Sequence, residues 1–140
     1  SGLTKHKLTT FHSQYKYTLM SHDLIAYKKL GQLLARADLS IEEMATLYIT
    51  GLMAALTINA TRKKHANTLT HIQGYFSKHL ESKERKELCE QIEAYRKGLI
   101  PLIAPLTLIK HYLMRHPKDY LSQQSYLSPY PDELKLRYAY

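Results

Sequence analysis

Apolar residues recur along this chain at intervals of three and four positions, and this spacing restricts the fold more than any other feature. In residues 61–80, at about 100° per residue, one side of a helix would carry His65, Leu69, Ile72 and Phe76. No segment alternates polar and apolar residues over the length of a typical strand. The sequence therefore predicts an all-α fold, a single compact domain of six to seven helices with short loops.

Capping and helix-breaking residues divide this pattern into elements. Ser40 and Glu43 are spaced as a capping box, and Gly98 suits the position after a helix because it adopts positive φ without steric cost. Either Pro101 or Pro105 can occupy the first position of a helix, where no N–H is needed. The predicted helices cover residues 3–20, 24–36, 41–59, 61–80, 82–97, 101 or 105 to 116, and 118–124, with a last turn at 132–136.

The segment 41–59 is apolar around much of its circumference and is predicted to be the most buried helix. Gly51 lies near its middle, where a glycine costs about 1 kcal/mol relative to alanine. We expect this glycine to admit the backbone of a neighbouring helix. One long bent helix over residues 41–80 is the alternative to two helices that separate near Asn59 and Thr61.

The charge of the chain favours an anionic partner. Twenty Lys and Arg against twelve Asp and Glu give the 140 residues, predicted to be one domain, a formal net charge of +8. Such a domain attracts nucleic acid first and an anionic membrane surface second. Cys89 is the single cysteine, which excludes an intrachain disulfide and favours a reducing, cytoplasmic location. Neither a signal peptide nor a membrane span is predicted, and Ser1 and Gly2 resemble a cloning remnant.

The polar side of residues 61–80 differs from most exposed helix faces, which carry mixtures of Glu, Lys and Gln. Two cations, an amide, an imidazole and a phenol recur there at intervals of three and four. Cations contact phosphate, and the other groups hydrogen-bond to or stack on bases and sugars. We call these residues the polar strip: Lys64, Asn67, His71, Tyr75 and Lys78.

A second basic segment lies near the end of the helix predicted before Pro117, and it combines the same kinds of group as the polar strip. His65, in contrast, lies within the apolar stripe and is predicted to be a hydrogen-bonded core residue. With the bases that open the earlier helix, the predicted nucleic-acid contacts are Arg62, Lys63, Lys64, Asn67, His71, Tyr75, Lys78, Lys110, His111, Tyr112 and Arg115.

Motifs for catalysis and metal binding are missing from the sequence. His65 and His71 are six positions apart, so they do not share a helix face, and there is no HExxH. Cys89 has acidic neighbours, which disfavour a thiolate nucleophile. The five scattered glycines form neither a Walker A loop nor a GxGxxG motif. We predict no catalytic residue, no metal site and no cofactor.

Three other interpretations are compatible with the same residues. An enzyme acting on a small molecule would use Asn67, His71, His111 and a tyrosine in a deep, enclosed pocket with a perturbed histidine. A helical protein-interaction domain would present a flat strip whose charges are compensated by neighbours. In the third interpretation, the cations bind no partner. They only increase the solubility of two helix ends and interact favourably with the helix dipole.

Long strings of uncommon composition resemble the bacterial YbgA family over nearly the whole chain. The strings are FHSQYKYTLMSH at 11–22, ATRKKHANTLTHIQGYF at 60–76, YRKGLIPLIAPLTLIKHYL at 95–113 and YLSQQSYLSPYPDELKLR at 120–137. The family is a domain of unknown function that occurs alone or fused to a desulfidase domain. That desulfidase uses a cysteine-bound iron–sulfur cluster to remove sulfur from thiolated uracil.

In such fusions the YbgA-like part resembles the tRNA-binding module. The resemblance therefore implies an RNA-binding function, with tRNA or another structured RNA as the partner, accessory to thiouridine metabolism. A desulfidase domain, in cis or in trans, is the expected protein partner. Because Cys89 alone cannot ligate an iron–sulfur cluster, we expect no chemistry from this chain itself.

Overall fold

Eight α-helices make up most of residues 2–128, which are the part of the chain that the computed structural model describes. No strand occurs among these residues, which confirms the predicted all-α fold. The turn predicted at 132–136 lies outside them. Single 3₁₀ turns lie at Ser77–His79 and Ser125–Leu127. The helices are α1 (Lys5–Gln14), α2 (Lys16–His22), α3 (Leu24–Leu34), α4 (Ile41–Leu56), α5 (Arg62–Phe76), α6 (Ser82–Arg96), α7 (Ile103–Arg115) and α8 (Asp119–Ser122).

Four helix starts are set by a side chain that accepts the backbone N–H three residues later. Thr4, Asp23, Ser40 and Thr61 accept these hydrogen bonds at 3.1–3.2 Å. The Glu43 carboxylate also accepts the Ser40 N–H, so the predicted capping box is present. These contacts satisfy N–H groups that have no partner within the helix.

The first predicted helix is divided in two, which raises the number of helices above the six or seven predicted. Tyr15 has φ −104° and ψ 11°, outside the helical range, and separates α1 from α2. Its ring stacks on that of Phe11 with 4.2 Å between centroids. Because neither glycine nor proline marks this position, the sequence carries no local signal for the break.

Two apolar clusters form the core, and α2 contributes to both. Leu19 packs into the cluster formed with α1, α3 and α4, whereas Tyr17 and Met20 pack into the cluster formed with α5, α6 and α7. None of these three residues is more than 3% exposed. Positions 17 and 20 share one helix face and position 19 points away from it. The short helix α2 therefore joins the two halves of the molecule.

The prediction that residues 41–59 form the most buried helix is wrong. α4 ends at Leu56, and the non-helical residues 57–61 exclude one long bent helix. The helix packs on α3 but leaves apolar side chains exposed outside this contact, because its sequence is apolar on more sides than the fold covers. Four apolar residues of α4 and of the turn after it are 43–59% exposed: Leu47, Ile49, Met53 and Ile58.

Two local predictions also need correction. A Cβ atom at Gly51 would lie 2.7 Å from Leu30 Cδ2, so this glycine admits a core side chain of α3 and not a backbone. α7 begins at Ile103, so neither Pro101 nor Pro105 is its first residue. Pro105 occupies the third position, still within the first turn, where an N–H would have no helical partner.

Gly98 takes the predicted role at the end of α6. Its φ is +79°, a value that residues with a Cβ rarely adopt. Its N–H donates to the Tyr95 carbonyl and the N–H of Leu99 donates to the Ala94 carbonyl, both at 2.9 Å. This pair of bonds is a Schellman motif, which ends the helix and satisfies its last carbonyls.

If α2 joins the two halves, truncating its inward side chain should destabilise the whole domain. We expect Leu19→Ala to lower the free energy of unfolding by about 2–5 kcal/mol, because the residue is fully buried. Urea unfolding followed by circular dichroism measures the change. The matched control is Leu99→Ala at a site 73% exposed, where we expect a change within about 0.5 kcal/mol. Equal effects of the two substitutions would contradict this role of α2.

Candidate nucleic-acid interface

The polar strip lies on the solvent side of α5 and of the 3₁₀ turn that follows it, as predicted. Four of its five residues are exposed. The fifth, Lys64, is half-buried, and its Nζ donates to the Asn59 carbonyl at 3.0 Å. The neighbouring Lys63 is also exposed. The helix therefore presents cations, an amide, an imidazole and a phenol to solvent along its length.

The opposite side of α5 enters the core, and His65 lies there at 2% exposure. Its Nδ1 is 2.6 Å from the hydroxyl of Tyr126, in the 3₁₀ turn after α8. The prediction of a hydrogen-bonded core histidine is confirmed. This contact fixes the rotation of α5 about its axis, because one face cannot turn outward without breaking a buried hydrogen bond.

Residues 44–80 contain no Asp or Glu, so the positive charge of the polar strip has no acidic neighbour on its own helix. Within the described residues, Lys63, Lys64 and Lys78 form no ion pair. Uncompensated cations on one exposed face raise the local concentration of anions. The protein-interaction interpretation required compensated charges, and these three lysines do not meet that requirement.

Arg62 has a structural contact that the sequence did not indicate. Its guanidinium donates to the Tyr95 carbonyl at 2.7 Å and lies 4.7 Å from the centroid of the Tyr95 ring. A Cβ at Gly98 would come within 3.9 Å of the same guanidinium. Arg62 therefore binds the C-terminal end of α6, where a cation is favoured by the helix dipole.

The second basic segment is engaged mostly with α6. Tyr112 is only 4% exposed, and its hydroxyl donates to the Glu87 carboxylate. Burial first, and then the hydrogen bond to Glu87, raise the pKa of Tyr112 to about 12. The Tyr112 ring is thus part of the core of this structure and does not face solvent as a base-stacking surface.

Arg115 and the following His116 both contact Glu84, which is 5% exposed at the start of α6. The guanidinium of Arg115 lies 2.9 Å from Oε2 and His116 Nε2 lies 2.9 Å from Oε1. The Glu81 N–H also donates to Oε1, at 2.8 Å. This backbone hydrogen bond is the largest of the causes that lower the pKa of Glu84, followed among the stabilising ones by His116 and Arg115. The carboxylate ties the end of α7 to the start of α6.

Asn67 and His111, which the enzyme interpretation places in one pocket, line different ones. His111 is exposed beside a shallow groove of about 670 Å³ between α6 and α7, lined also by Glu87 and Gln91. Lys110, next to it, is half-buried. Asn67 lines a pocket of about 450 Å³ at the start of α5. Neither pocket contains His71.

A basic cluster of Lys78, His79, His116 and Lys118 lies around the 3₁₀ turn after α5. Desolvation lowers the pKa of His79, and the positive charges of Lys118, Lys78 and His116 lower it further, in that order. Such coupling requires the 3₁₀ turn after α5 to lie close to the loop after α7. Lys118 and His116 thus lie close enough to His79 to affect its charge, although His116 is itself paired with Glu84.

Tyrosine rings adjoin this basic cluster. Tyr75 of the polar strip lies 5.1 Å from Tyr120 between ring centroids, and Tyr120 lies 6.4 Å from Tyr17. Lys16 Nζ lies 5.6 Å from the centroid of the Tyr17 ring. Tyr75 is 45% exposed and Tyr120 is half-buried. The cluster therefore combines cations with aromatic surface, which is the combination that single-stranded nucleic acids bind.

Sequence reasoning missed His79 and Tyr120 as members of this surface. His79 is exposed next to Lys78, but part of its charge environment comes from Lys118 and His116, in the loop after α7. Tyr120 meets Tyr75 only through tertiary packing, because the two are 45 positions apart. No local pattern reports such a contact.

The pocket at the start of α5 lies between that helix and the α2–α3 junction. Its lining has an apolar part and a polar part that includes both Lys63 and Lys64. The residues that line it are Met20, Asp23, Leu24, Ile25, Thr61, Lys63, Lys64 and Asn67.

Comparison with known proteins identifies the family of the chain. Residues 16–131 match the family described as "Protein of unknown function (DUF1722)". The chain is also 36% identical, over 140 residues that cover 99% of it and 83% of the relative, to "Uncharacterized protein YbgA" of Escherichia coli (strain K12). The chain belongs to the YbgA (DUF1722) family. The resemblance of its sequence strings is thereby confirmed, and no solved structure matches the chain.

Two further structural features bear on partners. No helix formed by residues 2–128 is both long enough and apolar enough to cross a membrane. In the same residues, no three His, Cys, Asp or Glu side chains are grouped so that they could hold a metal ion.

The contacts of Glu84 predict how stability depends on pH. The pKa of Glu84 is lowered from its ordinary value of 4.5, so the folded state binds this proton less tightly than the unfolded state. Its contribution to stability is therefore present above pH 4.5 and is lost as the pH falls through the folded-state pKa. We expect Glu84→Gln to destabilise the protein at pH 7, and the difference from wild type to shrink as the pH falls below 4.5.

Urea unfolding at several pH values measures this difference in the free energy of unfolding. Glu90→Gln, an exposed position on the same helix, is the matched control and should show little change at any pH. A destabilisation by Glu84→Gln that is constant from neutral to acidic pH would show that packing, and not the charge, is responsible.

Proposed function

We propose that this member of the YbgA family is an RNA-binding module for tRNA, accessory to thiouridine metabolism, and that it performs no chemistry itself. The observation that carries the proposal is the polar strip of α5, whose lysines form no ion pair within the described residues and which ends in a cluster of cations and tyrosines. Thiouridine metabolism enters through the family resemblance alone. We further propose that the module acts in the cytoplasm, where tRNA is present.

The dimensions of the strip support a strand of nucleic acid as its ligand. From Arg62 to Lys78 the chain advances about 25 Å at 1.5 Å per residue, which allows contacts to several successive phosphates. Lys63, Lys64 and Lys78 are the phosphate contacts in this proposal. Because such contacts release counterions, affinity should fall steeply with salt concentration.

The remaining groups of the strip would contact bases and sugars. Asn67 and His71 have both donor and acceptor atoms for hydrogen bonds, and both are exposed. Tyr75, with the half-buried Tyr120 beside it, offers a ring on which an unpaired base can stack. Of the predicted contacts in the second segment, we retain Lys110 and His111, which is exposed beside the groove between α6 and α7. Arg62, Tyr112 and Arg115 we assign to supporting the fold.

A protein partner is a second part of the proposal. The solvent side of α4 carries Ile49 and Met53 on one face, with Leu47 about 160° from Ile49 around the helix, and residues 44–61 contain no charged side chain. Exposed apolar residues that share a helix face, as Ile49 and Met53 do, are typical of an interaction surface. We propose this face as the docking surface for the desulfidase domain that the family resemblance implies.

Removing single lysines tests the RNA-binding proposal. We expect Lys63→Ala and Lys78→Ala each to weaken tRNA binding roughly threefold to tenfold and to reduce the slope of log affinity against log salt by about one. Fluorescence anisotropy with labelled tRNA at several salt concentrations measures both quantities. Lys5→Ala, an exposed lysine on α1, is the charge-matched control. If tRNA does not bind even at low salt, or the control weakens binding equally, the proposal is wrong.

Docking on α4 is tested with a purified thiouracil desulfidase domain. We expect Ile49→Asp to abolish its association with the chain in analytical ultracentrifugation, because a buried carboxylate without a partner is costly. Leu99→Asp, at an exposed apolar site elsewhere, should leave the association intact. Association that survives Ile49→Asp would place the docking surface on another part of the molecule.

A further inference from the structure

We propose that the pocket at the start of α5 binds a single unstacked nucleotide, holding its base against Leu24 and Ile25 and its phosphate between Lys63 and Lys64. This inference rests on the proposed RNA-binding function and adds to it a site where one base is separated from its neighbours. The pocket lies where the polar strip meets the α2–α3 junction.

The size of the pocket suits such a ligand. Its volume is about 450 Å³, within the range of about 300–1,000 Å³ typical of small-molecule sites. It is partly open to solvent, as a site must be if the nucleotide remains joined to a polymer. A stacked base within a duplex could not enter, so only an unpaired or extruded nucleotide fits this description.

The apolar part of the lining provides a surface for the face of a base. Met20 is buried at 3% exposure at the bottom, Leu24 is half-buried, and Ile25 is 66% exposed at the mouth. Contact with water does not stabilise the exposed apolar side chain of Ile25. Covering it with a flat heterocycle would remove apolar surface from water.

The polar part provides groups for the phosphate and for the edge of the base. Lys63 is exposed and has no ion pair among the described residues, and the neighbouring Lys64 Nζ is held by one carbonyl. The Asn67 side chain carries both a donor and an acceptor. Asp23 uses Oδ1 to cap α3 at 3.1 Å, which leaves Oδ2 to accept an N–H from a base.

This combination distinguishes a nucleotide from other anions. Inorganic phosphate would use the two lysines but would leave the apolar surface of Ile25 in water. A fatty acid would cover that surface but would offer no hydrogen-bond partner to the Asn67 amide or to Oδ2 of Asp23. A nucleoside monophosphate has an anion for the two lysines, a flat apolar face for Leu24 and Ile25, and an edge with hydrogen-bond donors and acceptors for Asn67 and Asp23. It therefore matches both the apolar and the polar part of the lining.

Methyl NMR on the intact chain tests the site directly. We titrate protein labelled with ¹³C in its Ile, Leu and Met methyl groups with each of the four nucleoside 5′-monophosphates, and with ribose 5-phosphate as the control ligand. The expected result is a saturable shift of the methyl signals of Met20, Leu24 and Ile25 with at least one nucleotide and not with ribose 5-phosphate. Absence of these shifts, or equal shifts with ribose 5-phosphate, would overturn the proposal.

A matched pair of variants locates the binding. Ile25→Ala should weaken nucleotide binding about fivefold, because it removes apolar surface that the base covers. Leu99→Ala, at a similarly exposed apolar site after α6, should have no effect. Since both sites are exposed, neither variant should unfold, and unchanged methyl signals elsewhere verify this. Equal affinities of Ile25→Ala and wild type would also overturn the proposal.

Measuring tRNA binding in parallel separates this inference from the proposed function. Intact tRNA affinity without nucleotide binding would overturn the pocket alone. Nucleotide binding in the pocket without tRNA affinity would overturn the proposed function and would identify a site for a free nucleotide.

Discussion

Burial of the short helix α2 between two apolar clusters is the interaction on which the rest of the structure depends. Its side chains point into both clusters, with Leu19 on one side and Tyr17 on the other. Because seven residues are too few to form a stable helix alone, α2 exists only when both clusters are packed around it. Its place beside α5 also brings the α2–α3 junction to the start of the polar strip.

Buried polar contacts then fix how the helices are oriented. Each apolar cluster adjoins a buried histidine that is hydrogen-bonded to a tyrosine: His12 to Tyr48 at 2.9 Å and His65 to Tyr126 at 2.6 Å. Glu84 provides a third such contact between α6 and the end of α7. Apolar packing tolerates small rotations of a helix, whereas a buried polar group that loses its partner costs about 1–3 kcal/mol. These contacts therefore determine which face of each helix reaches solvent.

The sequence predicted what depends on local spacing and failed where tertiary contacts decide. The two faces of α5, the core position of His65 and the ends marked by Ser40 and Gly98 follow from periodicity and capping. The break at Tyr15 and the exposed outer face of α4 do not, because apolar content cannot show how many neighbours will cover a helix. For the same reason, a basic sequence does not distinguish Lys63, exposed to solvent, from Arg115, paired with a glutamate of another helix.

The first turn of α5 is an unfavourable place for cations unless an anion binds there. Arg62, Lys63 and Lys64 occupy the first three positions, with no acidic residue among them, although the positive end of the helix dipole disfavours cations there. Each cation placed there destabilises the helix by about 0.3–1 kcal/mol. For Arg62 this unfavourable interaction is offset by the hydrogen bond that it donates to the Tyr95 carbonyl, and for Lys64 by the one that it donates to the Asn59 carbonyl. Lys63 has no such contact in the described part of the chain. A bound phosphate would remove this repulsion, so an arrangement unfavourable for the isolated helix is favourable for binding an anion.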